Sequence, residues 1–134
     1  NVLHELKRRG LHVATIKHSH HQLTFPAKDS TRFYQEGSDF SVVLGTDSLH
    51  LTMPLNNKSP QELIDWLFPD IDIVLIEGWR SHDFPTILVS KVEPPPEWTS
   101  PTQIIGYVGW SPNSTAPLFT NVSTLVDLLM SDQL

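Results

Sequence analysis

A chain of 134 residues suits one domain with a single core. Its 39% hydrophobic and 18% charged content fits a soluble globular protein, and no apolar run approaches the roughly 20 residues of a membrane span. A net charge of -6 with no compensating basic stripe argues against a nucleic-acid binder, and the absence of cysteine rules out a disulfide framework and agrees with a cytoplasmic home.

The first residues already read as helix. Val2, Leu3 and Leu6 form an apolar stripe, Lys7, Arg8 and Arg9 sit where a helix C-terminus favours cations, and Gly10 suits the position after it. A helix this short is marginal alone, and no initiator methionine precedes it, so the chain is expected to begin inside an element. Residues 11–17, Leu-His-Val-Ala-Thr-Ile-Lys, predict a strand. A polar loop over 19–28, broken by Pro26, leads to a short helix ending near Glu36, capped by Asp29 or Ser30 and stopped by Gly37. Residues 39–44 predict a strand and Gly45–Ser48 a turn. Leu49, Leu51 and Met53 alternate with His50 and Thr52, which predicts a half-exposed strand returning as a hairpin.

Ser59-Pro60-Gln61-Glu62 combines a capping box with proline at the first helical position, and Pro69 ends the helix that follows. Leu63, Ile64, Trp66 and Leu67 supply its apolar face. Residues 71–76, Ile-Asp-Ile-Val-Leu-Ile, predict a strand buried on both faces, as in the middle of a parallel sheet. It ends in Glu77-Gly78-Trp79-Arg80. Thr86–Ser90 and Ile104–Val108 predict two more strands, joined through a stiff loop at Glu93-Pro94-Pro95-Pro96-Glu97. A last helix is expected over Ser123–Met130, with Leu125, Leu128 and Leu129 on one face. Helices alternating with strands define an α/β fold: a mostly parallel sheet flanked by helices, with one β-hairpin, in a single domain over 1–134. In such sheets ligands sit beyond the carboxyl ends of the strands. Two strand ends carry ionisable clusters, Lys17-His18 and Glu77-Gly78, and parallel strands would open both onto one edge.

"VATIKHSHH", "KDSTRFYQEGS" and "IDIVLIEGWR", in that order and spacing, resemble the MobB family, the GTP-binding accessory proteins of molybdopterin guanine dinucleotide biosynthesis. The resemblance implies a P-loop NTPase-like fold. It also implies GTP and Mg2+ as ligands, a homodimer, and as partners the molybdenum cofactor guanylyltransferase and other cofactor-maturation proteins. The family's G-x-x-x-x-G-K-[ST] loop has no counterpart among the six glycines of this chain. The helix at 1–9 is therefore expected to be the tail of the P-loop helix, with the first strand and the loop upstream of Asn1. That loop carries most of the phosphate-binding groups. No N-K-x-D guanine motif is present either.

By the same resemblance, Glu77 follows the strand as a Walker-B-like carboxylate, a candidate catalytic residue and magnesium ligand, with Gly78 beside it. It could equally be a polar residue ending a strand. Asp72, within the strand, reads as structural and bonded to neighbouring backbone. Lys28, Asp29, Ser30 and Arg32 match the family's Lys-Asp-Ser-x-Arg segment and would face the nucleotide, Asp29 as a second metal ligand; the alternative is an ordinary helix start. Arg32 and Glu36 are also spaced for a surface ion pair. Lys17, His18, His20 and His21 would line the rim of the phosphate pocket. His18-x-His20 is also a possible half of a zinc or nickel site, although no cysteine assists and His4, His12, His50 and His82 show no chelating spacing; a plain polar loop is the third reading. Trp79 and Arg80 suit a partner surface or a sheet edge.

The expected function is an accessory GTP-binding protein assisting GMP attachment to molybdopterin, a weak GTPase at most, since no catalytic glutamine or arginine finger can be assigned. The alternatives are a non-hydrolysing adaptor or interaction module, and a metallochaperone-like NTPase using the histidine cluster.

Overall fold

The computed structural model describes residues 1–21, 23, 29–56, 58–79, 83–93, 103–110 and 116–131. In chain order the elements are α1 (Val2–Arg8), β1 (Val13–Lys17), α2 (Asp29–Gln35), β2 (Ser41–Leu44), β3 (Leu49–Thr52), α3 (Pro60–Leu67), β4 (Ile73–Glu77), β5 (Thr86–Ser90), β6 (Ile104–Gly109), β7 (Leu118–Phe119) and α4 (Val122–Leu129). They divide into two units, Asn1–His18 with Asp70–Leu134, and Ser19–Pro69. Pro26, Lys28, Arg80, His82 and the prolines at 94–96 lie outside the described residues.

In the first unit, the Asn1 side chain caps α1 by accepting from the Leu3 N–H, and Gly10 leaves the helix at φ 86. Of the apolar stripe, Leu6 is fully buried while Leu3 is exposed. α1 packs against α4, where Val126 is fully buried and Leu125 nearly so. Arg9 ties the two helices together. Its guanidinium donates to Glu5, to Asp127, and to both the carbonyl and hydroxyl oxygens of Ser123. Hydrogen bonds from Arg8 first, then Arg9, hold the Glu5 carboxyl down at about 2.

β1 and β4 pair in parallel, from Val13 opposite Ile73 to Lys17 opposite Glu77. Asp72 sets this register from just before β4 rather than from inside it. Its carboxylate accepts from the His12 N–H at 2.6 Å, and the His12 carbonyl accepts from the Asp72 N–H at 3.0 Å. The structural reading of Asp72 holds. The expectation that β4 is buried on both faces does not: Ile73–Ile76 are only half-buried. Among the described residues β4 has a strand on one edge only, so its apolar side chains gain half the cover of a central strand. β5, β6 and β7 form a second, three-stranded parallel sheet with Leu88 and Tyr107 in its core. Two-residue β7 is too short to leave a periodic signature in the sequence.

In the second unit, α2 begins at Asp29 itself. Asp29 places an acid in the first turn, where the helix dipole favours it. Gly37 stops the helix at φ 102. β2 and β3 form the expected antiparallel hairpin. Its apolar face is outward: Val42 opposes Leu51, Leu44 opposes Leu49, and all four are exposed. Ser41, one pleat over, is buried. The capping box of α3 is complete, with the Ser59 hydroxyl accepting from the Glu62 N–H and the Glu62 carboxylate from the Ser59 N–H. The latter bond lowers the Glu62 pKa. Phe40 and Trp66 meet with ring centroids 6.4 Å apart.

Candidate functional site

Parallel pairing brings the two ionisable strand ends to the same edge. Lys17 and Glu77 are register partners at the carboxyl ends of β1 and β4, and the Lys17 ammonium donates to the Glu77 carboxylate at 3.1 Å. Both side chains are exposed, so the pair itself is worth at most about 1 kcal/mol. The ladder runs one residue further, with the His18 N–H donating to the Glu77 carbonyl at 2.9 Å. An open depression of about 260 Å³ follows the last rungs of this pair, lined by Thr15, Ile16, Lys17, Leu75, Ile76 and Glu77.

Beyond Glu77 the chain turns left-handed twice. Gly78 has φ 84, and a Cβ on it would stand 3.0 Å from the His18 carbonyl oxygen. Glycine is thus required here both by its dihedral and by the approach of the neighbouring backbone. Trp79 has φ 56, a rare conformation for a bulky residue. The turn lays the Trp79 ring on the His18 imidazole, centroids 5.0 Å apart and planes within 5°. Reading the sequence assigned Trp79 to a partner surface or the sheet edge and missed this contact. The available signal was a Gly-Trp step directly after a strand whose parallel neighbour ends in histidine.

Of the candidate residues, Lys17, His18, Glu77 and Gly78 therefore share one edge. The others belong to the second unit. His20 and His21 are exposed, and the His21 N–H donates to the Ser19 hydroxyl. Asp29 and Ser30 lie in the first turn of α2. Arg32 pairs with Glu36 at 2.9 Å, the surface i,i+4 pair its spacing suggested. Among the described residues no group of three or more His, Asp or Glu side chains could hold a metal ion. A magnesium ion commonly takes only one or two protein carboxylates and completes its shell with water and phosphate. Glu77, an exposed carboxylate at a strand end, fits that lesser requirement. Lysine and histidine beside it are donors suited to an anion.

A family model described as "Molybdopterin guanine dinucleotide synthesis protein B", MobB, matches residues 1–110. The chain is 34% identical over 100 residues to the "Molybdopterin-guanine dinucleotide biosynthesis adapter protein" of Haemophilus influenzae, covering 69% of this chain and 54% of that protein. It is 27% identical over 92 residues to the "Probable molybdopterin-guanine dinucleotide biosynthesis adapter protein" of Bacillus subtilis, covering 66% and 53%. The chain thus spans about half the length of the curated relatives it matches. Among solved structures, a crystal structure of "molybdopterin-guanine biosynthesis protein B (mobB)" superposes with a TM-score of 0.76 at 20% identity, over 96% of this chain and 85% of that one. The B. subtilis MobB crystal structure gives 0.68 at 19%, over 96% and 83%. These superpositions establish the α/β fold of parallel strands flanked by helices.

Proposed function

We propose, from the fact that this chain belongs to the MobB family, that it serves as an adapter in molybdopterin guanine dinucleotide synthesis and contributes the rim of a GTP site. The observation that carries the reading is the register that sets Lys17-His18 and Glu77-Gly78 side by side at the carboxyl edge, where α/β sheets place their ligands. Lys17 and His18 would donate to phosphate oxygens. Glu77 would hold a magnesium ion through carboxylate or bound water, and the ion would neutralise phosphate charge. Asp29, Ser30, Arg32, His20 and His21 are proposed, from the family resemblance alone, as nucleotide-binding residues. In this reading hydrolysis is weak at most. The partner is the enzyme that joins GMP to molybdopterin, in the cytoplasm. Among the described residues no helix is long and apolar enough to cross a membrane.

The test is a titration of the full-length protein with GTP, with and without magnesium, alongside Glu77→Gln. Removal of the carboxylate should weaken magnesium-dependent binding about tenfold, the equivalent of roughly 1.4 kcal/mol. Equal affinity of the two proteins in magnesium would remove Glu77 from the site. If neither binds GTP yet both still stimulate dinucleotide synthesis, the non-hydrolysing adaptor reading takes first place.

The family resemblance also implies a homodimer, for which we propose the hairpin as the surface. Val42, Leu44, Leu49 and Leu51 are 52%, 77%, 61% and 37% exposed and form one uncharged aliphatic face. A two-fold dimer brings the same patch of both copies together. Leu44→Glu should convert the dimer to monomer by light scattering, while Asp47→Ala in the turn leaves its mass unchanged. A Leu44→Glu protein that remains dimeric would move the interface elsewhere.

A further inference from the structure

We propose that Trp79 is a positioning residue that holds the His18 imidazole in one orientation at the β1–β4 edge. The idea rests on the reading above that this edge faces a phosphate-bearing ligand, and it singles out His18 from the histidines clustered with it in sequence. Three observations converge. The rings are parallel to within 5° at 5.0 Å. The backbone that delivers Trp79 is left-handed at two successive residues, Gly78 and Trp79. The turn is pressed so close to the neighbouring strand that a Cβ at Gly78 would stand 3.0 Å from the His18 carbonyl oxygen.

A tryptophan that merely covered a sheet edge could do so from an ordinary extended backbone. A bulky residue stays left-handed only where its surroundings over-determine it, and such outliers cluster at ligand sites. Here the conformation has a definite result. Parallel pairing sets His18 one rung beyond the Lys17–Glu77 pair, and the His18 N–H is tied to the Glu77 carbonyl. The backbone of His18 is thus fixed by the ladder, and its ring by the indole. Stacking engages the face of an imidazole, whereas its hydrogen bonds run in the plane of the ring. The contact therefore sets the direction of the ring nitrogens, of which Nδ1 is buried. His20 and His21, both exposed, are two and three residues past the last rung of the ladder.

The experiment joins a spectroscopic readout to a double-mutant cycle on the full-length protein. In the wild type the carbon-bound ring protons of His18 should be shifted upfield of those of His20 and His21 by the indole ring current. Trp79→Ala should abolish that shift, and Trp79→Phe should keep part of it. In magnesium–GTP titrations Trp79→Ala and His18→Gln should each lose about tenfold in affinity, the scale of one hydrogen bond to a charged group. The combined variant should lose no more than His18→Gln alone, and Trp79→Phe should recover most of the binding. An unshifted His18 signal in the wild type overturns the proposal. So does a combined loss equal to the product of the single losses. If Trp79→Ala fails to fold, the comparison of Trp79→Phe with Trp79→Leu decides by the same criteria. If the wild type takes up no GTP, the nucleotide reading fails by itself, and the His18 signals alone decide whether Trp79 orients the ring.

Discussion

Gly109→Ala should destabilise the protein by about 3 kcal/mol. Gly109 is the last rung of β6, opposite Ser90 of β5, and its φ is 88. Two effects add. An L-residue held left-handed costs on the order of 1 kcal/mol. The new methyl would also overlap the Ser90 carbonyl oxygen, which is backbone and cannot rotate aside. Relief requires the β5 and β6 ends to separate, and the same two strands keep Leu88 and Tyr107 buried. Gly10 is the natural control. It has nearly the same dihedral, φ 86, but nothing within 4 Å of an added Cβ, so Gly10→Ala should show only the backbone cost. Urea unfolding of the three proteins separates the terms. Equal losses at positions 10 and 109 would show that the Ser90 contact relaxes freely.

Leu6→Ala should cost about 2–5 kcal/mol, the range for emptying a fully buried leucine site. Leu6 has no exposed surface, and it lies on α1, which packs against the α4 helix that buries Val126. A helix as short as α1 does not persist by its own propensity. Burial of this side chain and the Arg9 bridge to Ser123 and Asp127 are what keep it folded. Leu3, on the same predicted stripe, is 37% exposed, and Leu3→Ala should cost less, about 1–2 kcal/mol, because its side chain is only partly buried. Thermal unfolding of both variants tests the contrast. A Leu6→Ala loss no larger than that of Leu3→Ala would mean that α1 contributes little to the core.

That contrast shows where sequence reading stops. Val2, Leu3 and Leu6 share one stripe by spacing, yet only Leu6 is enclosed. The stripe states which side of the helix faces inward, and the position of α4 decides how deeply each residue goes. β4 repeats the lesson. A run of β-branched residues announces a strand that could sit in the middle of a sheet, but burial depends on what lies on its second edge.

The elements whose hydrogen bonds close within a few residues were determined by the sequence alone. The Ser59–Glu62 capping box, the hairpin around Gly45–Ser48, the left-handed stops at Gly10 and Gly37, and the Arg32–Glu36 pair all depend on neighbours in the chain. So does the α/β class, since alternating helices and strands leave few other ways to bury both. Only the tertiary structure decided the candidate site. Lys17 meets Glu77, 60 positions further along the chain, and His18 meets Trp79 because the register is set at the far end by Asp72 and His12. The left-handed turn at Gly78-Trp79 follows from that register. Its dihedrals are unfavourable locally, and the neighbouring strand that imposes them is distant in sequence.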